Sequence, residues 1–169
     1  MPFAVTHVLI TIIVVELIRD YFIKDKKNFP LYLVLIGGIV GLVPDIDLFL
    51  YWALYIQFQI PLLSVHRVFT HSVIWPAIFL IGAYFAYFKR NKKITYWFLV
   101  IVIGLVIHVI LDSITGYTFP LAPFMYKQFG LGLLPDTDIG RSITMAIDAV
   151  ILLAWLVYIE WRHRISRFI

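Results

Sequence analysis

Ile94-Thr-Tyr-Trp-Phe-Leu-Val-Ile-Val-Ile-Gly-Leu-Val-Ile-His108-Val-Ile-Leu-Asp112 decides the fold class. From Ile94 to Leu111 no side chain carries a fixed charge. The run has the length of a membrane-spanning helix, roughly 17–25 residues. Basic residues precede it (Lys89, Arg90, Lys92, Lys93), and it closes on His108 and Asp112, four residues apart. Apolar runs recur on both sides of it: Phe3 to about Ile23, Leu31 to about Asp47, Ser72 to Phe88, and Ile143 to Trp161. The composition agrees: 62% of residues are hydrophobic and only 14% charged, against about 25% charged in a soluble domain. An all-α, polytopic helical membrane bundle of about five spans, folded as one domain over residues 1–169, is the expectation.

The breaks between runs carry their own signals. Gly37, Gly38 and Gly41 have the small-residue spacing that lets helices approach closely. Pro44-Asp-Ile-Asp47 interrupts the second run, because proline lacks the N–H that a helix interior needs. Leu48 to Ile60 is rich in aromatics and reads as an interfacial helix, ended at Pro61. A long connection from Ser113 to Ser142 contains Gly132-Leu-Leu-Pro-Asp-Thr-Asp138. It echoes Gly41-Leu-Val-Pro-Asp-Ile-Asp47, but the flanks differ, so the echo is turn chemistry rather than duplication. The first run is too long for a signal-peptide core, carries Glu16, and lacks a small-residue cleavage pattern; it reads as a retained helix. Absence of cysteine excludes disulfides and thiolate metal ligands.

Net charge is +4, but the cations occupy short loops between apolar runs rather than one binding face. Nucleic acid is therefore not an expected partner. Five spans place Arg19, Lys24, Lys26, Lys27, Lys89, Arg90, Lys92, Lys93, Arg162, Arg164 and Arg167 on one side of the membrane. Only Arg67, Lys127 and Arg141 fall on the other. The positive-inside rule makes the first side cytoplasmic, with the N-terminus outside and the C-terminus inside.

That topology, built from cations alone, brings His7, Asp45, Asp47, His66, His71, His108 and Asp112 to the outer ends of their runs. His66-Arg-Val-Phe-Thr70-His71-Ser72 concentrates two imidazoles, a guanidinium and two hydroxyls in an otherwise apolar chain. Ionisable groups near membrane depth are costly, so such a cluster is a functional-site hypothesis. His108 and Asp112 share one helical face and form a bidentate pair for a divalent metal. Imidazole and carboxylate without thiolate suit zinc first, then manganese or iron. His66 and His71 can share an ion only if their segment is partly unwound. Asp45 and Asp47 diverge on a helix but converge in an extended turn. His7 is a candidate through its placement at the same end. The expected metal ligands are His7, Asp45, His66, His71, His108 and Asp112; the expected catalytic groups are Asp47, Arg67 and Thr70.

Four imidazoles and three carboxylates suffice for a two-metal centre, which activates water and stabilises attacking and leaving oxygens in phosphoryl transfer. Arg67 has the planar fork that grips phosphate, and Asp45 or Asp47 is its expected anion without substrate. Glu16 is expected to pair with Arg19 or to bond another helix. Asp148 should face the bundle or the site, and Asp136 and Asp138 should cap the last helix. The expected activity is metal-dependent hydrolysis of a phosphoester, in the setting of membrane lipids and plausible for a lipid head group. A transporter or ion channel is the second class, although its polar groups would sit nearer the midplane. A metal-stabilised scaffold is the third.

The early His7, Pro44-Asp-Ile-Asp47, His66-Arg-Val-Phe-Thr-His-Ser72 and His108-Val-Ile-Leu-Asp112, followed by Ser113-Ile-Thr115-Gly-Tyr117, together resemble the YdjM-like family. The likeness spans His7 to about Pro123. It implies an inner-membrane, metal-dependent hydrolase. More distantly, the pattern is similar to zinc-dependent phospholipases C and fungal single-strand nucleases, helical enzymes that cut phosphodiesters with clustered zinc. Carried over by motif, the resemblance falls most firmly on His108 and Asp112.

Overall fold

A computed structural model describes residues 4–59, 66–134 and 137–163. Its elements are α1 (Ala4–Tyr21), α2 (Tyr32–Val40), a 3-10 turn (Val43–Ile46), α3 (Asp47–Phe58), α4 (Ile74–Phe88), α5 (Lys92–Thr115) and α6 (Asp138–His163). Among the described residues the only β pairing is a single bridge between Thr118 and Phe129. The protein is thus an all-α bundle of apolar helices. Helices α5 and α6 are long and apolar enough to cross a membrane. Helix α2 and the segment Val43–Phe58 qualify together as one span bent by 46°. Helix α4 is shorter, at 15 residues, and α1 carries Glu16, Arg19 and Asp20 in its second half.

The second apolar run ends as a helix sooner than its hydropathy suggests. It stops at Val40, and buried Pro44 sits inside the 3-10 turn that follows. Residues Asp45 and Asp47 are therefore placed by a tight turn, not by an extended segment. The expected break at Pro61, Asp136, Arg164, Arg167 and the side chain of Arg141 lie outside the described residues.

Helix α5 is the centre of the bundle, packed on α1, α2 and α4. Val15, Phe29, Leu33, Val34 and Val100 form a buried core between α1, α2 and α5. Helix α5 meets α2 closely at Gly104, where a Cβ would lie 3.1 Å from the carbonyl oxygen of Gly37 and 2.8 Å from a methyl of Val40. Any larger residue would push α5 from α2. Helix α6 lies against α1. Trp155 donates from its indole nitrogen to Glu16 at 2.9 Å, and the Thr6 hydroxyl donates to Asp148. Glu16 thus bonds another helix, while Arg19 lies 3.2 Å from Asp20. Asp148 faces the bundle.

The two ends of the bundle differ. At one, the α1–α2 loop meets the start of α5: Asp25 accepts from the Asn28 amide at 2.9 Å and from Lys92 at 3.4 Å. These partners, Asn28 foremost, hold the Asp25 carboxyl below its ordinary range. The Asn91 side chain caps α5 by accepting from the Ile94 N–H. At the other end, residues 113–134 fold back over the C-terminus of α5. Backbone N–H groups of Leu131, Gly132, Leu133 and Leu134 donate to the carbonyls of Ser113, Gly116, Ile114 and Thr115. Those carbonyls have no partner inside the helix, so the connection satisfies them and roofs that end. The same connection holds the segment before α4, through Val73 N–H to Pro120, Phe119 N–H to Arg67, and Ser72 Oγ to Ala122.

Candidate metal centre

His7, Asp47, His66, Arg67, His71, His108 and Asp112 are all buried at the roofed end. Seven ionisable groups in an apolar bundle are tolerable only if they satisfy one another or a ligand.

His108 projects from the last turns of α5. Its Nδ1 lies 2.6 Å from the carbonyl oxygen of Gly41. A carbonyl only accepts, so Nδ1 carries the proton and Nε2 presents a lone pair. Gly41 makes this possible: a Cβ there would meet the Thr11 hydroxyl at 2.7 Å and the His7 carbonyl at 3.0 Å. The His7 ring stacks on His108, with centroids 4.0 Å apart.

His71 approaches from the segment between α3 and α4. Residues 66–72 are turns rather than helix, and Arg67 adopts a left-handed φ of 68°. This unwinding lets His66 and His71 come together, with ring centroids 5.1 Å apart. The Thr70 hydroxyl donates to Asp47 and lies 3.0 Å from Nδ1 of His71. Having one hydrogen, already given to the carboxylate, the hydroxyl accepts from His71 Nδ1–H. The Nε2 of His71 is then also a bare lone pair. Asp47 further accepts from His66 Nδ1 at 2.7 Å and from the Arg67 backbone N–H at 3.3 Å.

The two bare nitrogens face each other. Nε2 of His71 and Nε2 of His108 are 3.0 Å apart, and with both rings neutral no proton lies between them. Around them, His71 Nε2 is 3.2 Å from Asp112 Oδ2 and 3.7 Å from Asp45 Oδ1, and His108 Nε2 is 3.5 Å from Asp45 Oδ1 and 3.9 Å from Asp112 Oδ2. Bonds of about 2.0–2.2 Å to one tetrahedral ion would set its ligand atoms about 3.3–3.6 Å apart. The separations straddle that range, and Asp112 Oδ2 is buried without a hydrogen bond. Asp45, His71, His108 and Asp112 therefore fit a divalent ion of nitrogen and oxygen preference. Asp47, His66 and His71 form a second group able to hold an ion. There the 2.7 Å between His66 and Asp47 is a hydrogen-bond separation, shorter than two ligands of one ion would keep.

Arg67 is 6% exposed. Its Nε lies 3.2 Å from Asp112 Oδ2, an ion-pair distance at which the N–H is not aligned for a hydrogen bond. One terminal nitrogen donates to the Tyr117 carbonyl at 3.0 Å. Two of its nitrogens, Nε and one terminal nitrogen, have no hydrogen-bond acceptor. The anion beside Arg67 is thus Asp112, in place of the expected Asp45 or Asp47. Asp47 faces away, toward His66 and Thr70, because the 3-10 turn sends successive carboxylates to different groups. His7 Nε2 stands 3.5 Å from Asp112 Oδ1.

All nine candidates read from the sequence come to this one end. Sequence reasoning missed the carbonyls of Gly41 and Tyr117, which orient His108 and Arg67. Main-chain atoms exist at every residue, so no residue type announces such a role. The closely spaced glycines were the available signal for the first.

The family model described as YdjM inner membrane protein matches residues 1–166. No curated protein matches the chain, and no solved structure does.

Proposed function

The chain belongs to the YdjM inner membrane protein family, and on that footing we propose that it is a membrane-bound, metal-dependent hydrolase of phosphoesters. One observation carries the reading: the 3.0 Å approach of two imidazole nitrogens whose other nitrogens are already committed as donors. Two lone pairs at that distance repel, and a shared cation turns repulsion into ligation. Zinc suits the donor set best, with manganese or iron as alternatives. When bound, such an ion supplies Lewis acidity toward a phosphoryl oxygen and lowers the pKa of water.

The residues divide the remaining work. Asp45, His71, His108 and Asp112 hold the ion. Asp47, through the Thr70 hydroxyl, fixes the tautomer and direction of His71, as carboxylates behind metal-bound imidazoles do. His66, with Asp47 on Nδ1 and a buried, unpartnered Nε2, accepts the proton that the nucleophile loses. Arg67 turns its unfilled N–H groups to the phosphate, where a planar fork gives bidentate contact. His7 steadies Asp112 and packs His108. The partition of Lys and Arg supports five spans with this centre at the outer face, the N-terminus outside and the C-terminus cytoplasmic.

Elemental analysis of detergent-purified protein tests the ligand set, and turnover of bis(p-nitrophenyl) phosphate and phospholipids tests the reaction. The expected result is stoichiometric zinc, manganese or iron in the wild type, lost in Asp112→Ala, with metal-dependent phosphoester cleavage. Equal metal in both removes Asp112 from the set. Metal without phosphoester turnover leaves the centre a scaffold.

A further inference from the structure

An apolar groove of about 850 Å³ opens between α1, α2 and α3. It lies in the size range of small-molecule sites, roughly 300–1,000 Å³. Leu35 and Ile39 line it on α2, Phe49 and Trp52 on α3, and Val8 on α1. The one ionisable residue in its wall is Asp45, which is also the partly exposed member of the proposed ion-binding set. Val8 follows His7, whose ring packs on His108. The groove and the ion-binding group thus share a wall.

This juxtaposition has a chemical consequence. A groove that is apolar along its length and meets a cation at one carboxylate is complementary to an amphiphile with an anionic head. Its α2 arm runs from Asp45 back past Ile39 to Leu35. At 1.5 Å per helical residue, Leu35 to Ile39 covers about 6 Å, heading away from the roofed end into the bundle. A lipid of the adjoining leaflet has the same polarity, with its head at the surface and its chain toward the midplane. Arg67, whose Nε lies 3.2 Å from Asp112, is a second cation beside the ion-binding group.

Resting on the hydrolase reading, we propose that the substrate is a membrane lipid with a phosphate-bearing head, and that its acyl chain lies in this groove along Ile39 and Leu35 while the phosphate meets the ion at Asp45. The observation behind it is an apolar groove whose sole ionisable wall residue, Asp45, belongs to the candidate metal centre.

Photolabelling tests this without relying on turnover. Full-length, zinc-loaded protein is reconstituted in phosphatidylcholine vesicles containing phosphatidic acid with a diazirine in its acyl chain. Irradiation is followed by mapping of the labelled residues. Label should concentrate on Leu35, Ile39 and Phe49, be displaced by unlabelled phosphatidic acid, and fall when zinc is chelated. Ile39→Trp and, as an independent variant, Leu35→Trp should each keep their zinc. Each should lose about tenfold in displaceable label, the loss of roughly two buried methylenes. Label spread equally over outward residues of α6 such as Val150 and Leu153 would mean bulk lipid only and overturn the proposal. So would groove labelling indifferent to zinc or to both substitutions. If labelling behaves as expected but no phosphoester is cleaved, the hydrolase reading fails while the lipid site stands.

Discussion

Replacing Thr70 by valine removes one oxygen from the centre and nearly nothing from its shape. That oxygen donates to Asp47 and accepts from His71 Nδ1. Without it the His71 N–H loses its acceptor, and the ring no longer has a reason to present a bare Nε2 toward His108. The bond to the carboxylate is charge-assisted, worth about 1.5–3 kcal/mol, and the one to the imidazole about 1 kcal/mol. Part of this is recoverable. Asp47 keeps His66 at 2.7 Å and the Arg67 N–H at 3.3 Å, and its Oδ2 already stands 3.6 Å from His71 Nδ1, close enough to advance. A net loss of about 1.4–2.7 kcal/mol, a ten- to hundredfold weaker zinc Kd, is therefore expected, the usual cost of losing the group behind a metal-bound imidazole. Competition with a chromophoric chelator measures the Kd, and thermal unfolding of the metal-free protein checks the fold. Thr70→Ser keeps the hydroxyl and should bind nearly as the wild type does. A folded Thr70→Val protein whose Kd stays within about threefold of wild type would refute the argument that Thr70 sets the His71 tautomer.

Arg67→Lys keeps the charge but not the fork; phosphodiester turnover should fall about ten- to a hundredfold with metal content intact, whereas unchanged turnover per folded molecule would make Arg67 structural. Ion binding should weaken as pH falls, because protons compete with the ion for its imidazole and carboxylate ligands. An affinity flat between pH 7.5 and 5.5, measured by titration calorimetry, would exclude imidazole ligation. Reporter fusions at Asn91 and at the C-terminus should both report cytoplasm; an external signal from either would break the proposed topology. Gly104→Leu should separate α5 from α2, since Gly37 and Val40 leave no room for a side chain, and should lower the unfolding temperature even in metal-free protein; an unchanged melt would contradict that packing.

Hydropathy and loop charge were enough to identify a helical membrane bundle and to bring His7, Asp45, Asp47, His66, Arg67, Thr70, His71, His108 and Asp112 to a common end. The physical reason is that each residue's position along its run sets its depth, and depth needs no knowledge of neighbours. The i, i+4 spacing also paired His108 with Asp112 on one face, because helical geometry is local. What lay beyond the sequence was rotation about the bundle axis and the course of the irregular segments. Which groups Asp45 and Asp47 meet depends on a 3-10 turn against α5, and the structure sends Asp45 to His108 and Nε2 of His71 but Asp47 to His66, Thr70 and Nδ1 of His71. Arg67 meets Asp112 because residues 113–134 fold back and offer it the Tyr117 carbonyl. The protons on His71 and His108 are directed by a threonine hydroxyl and a glycine carbonyl from other segments. Such contacts arise only when separate helices pack, since they depend on distances between segments that hydropathy does not encode.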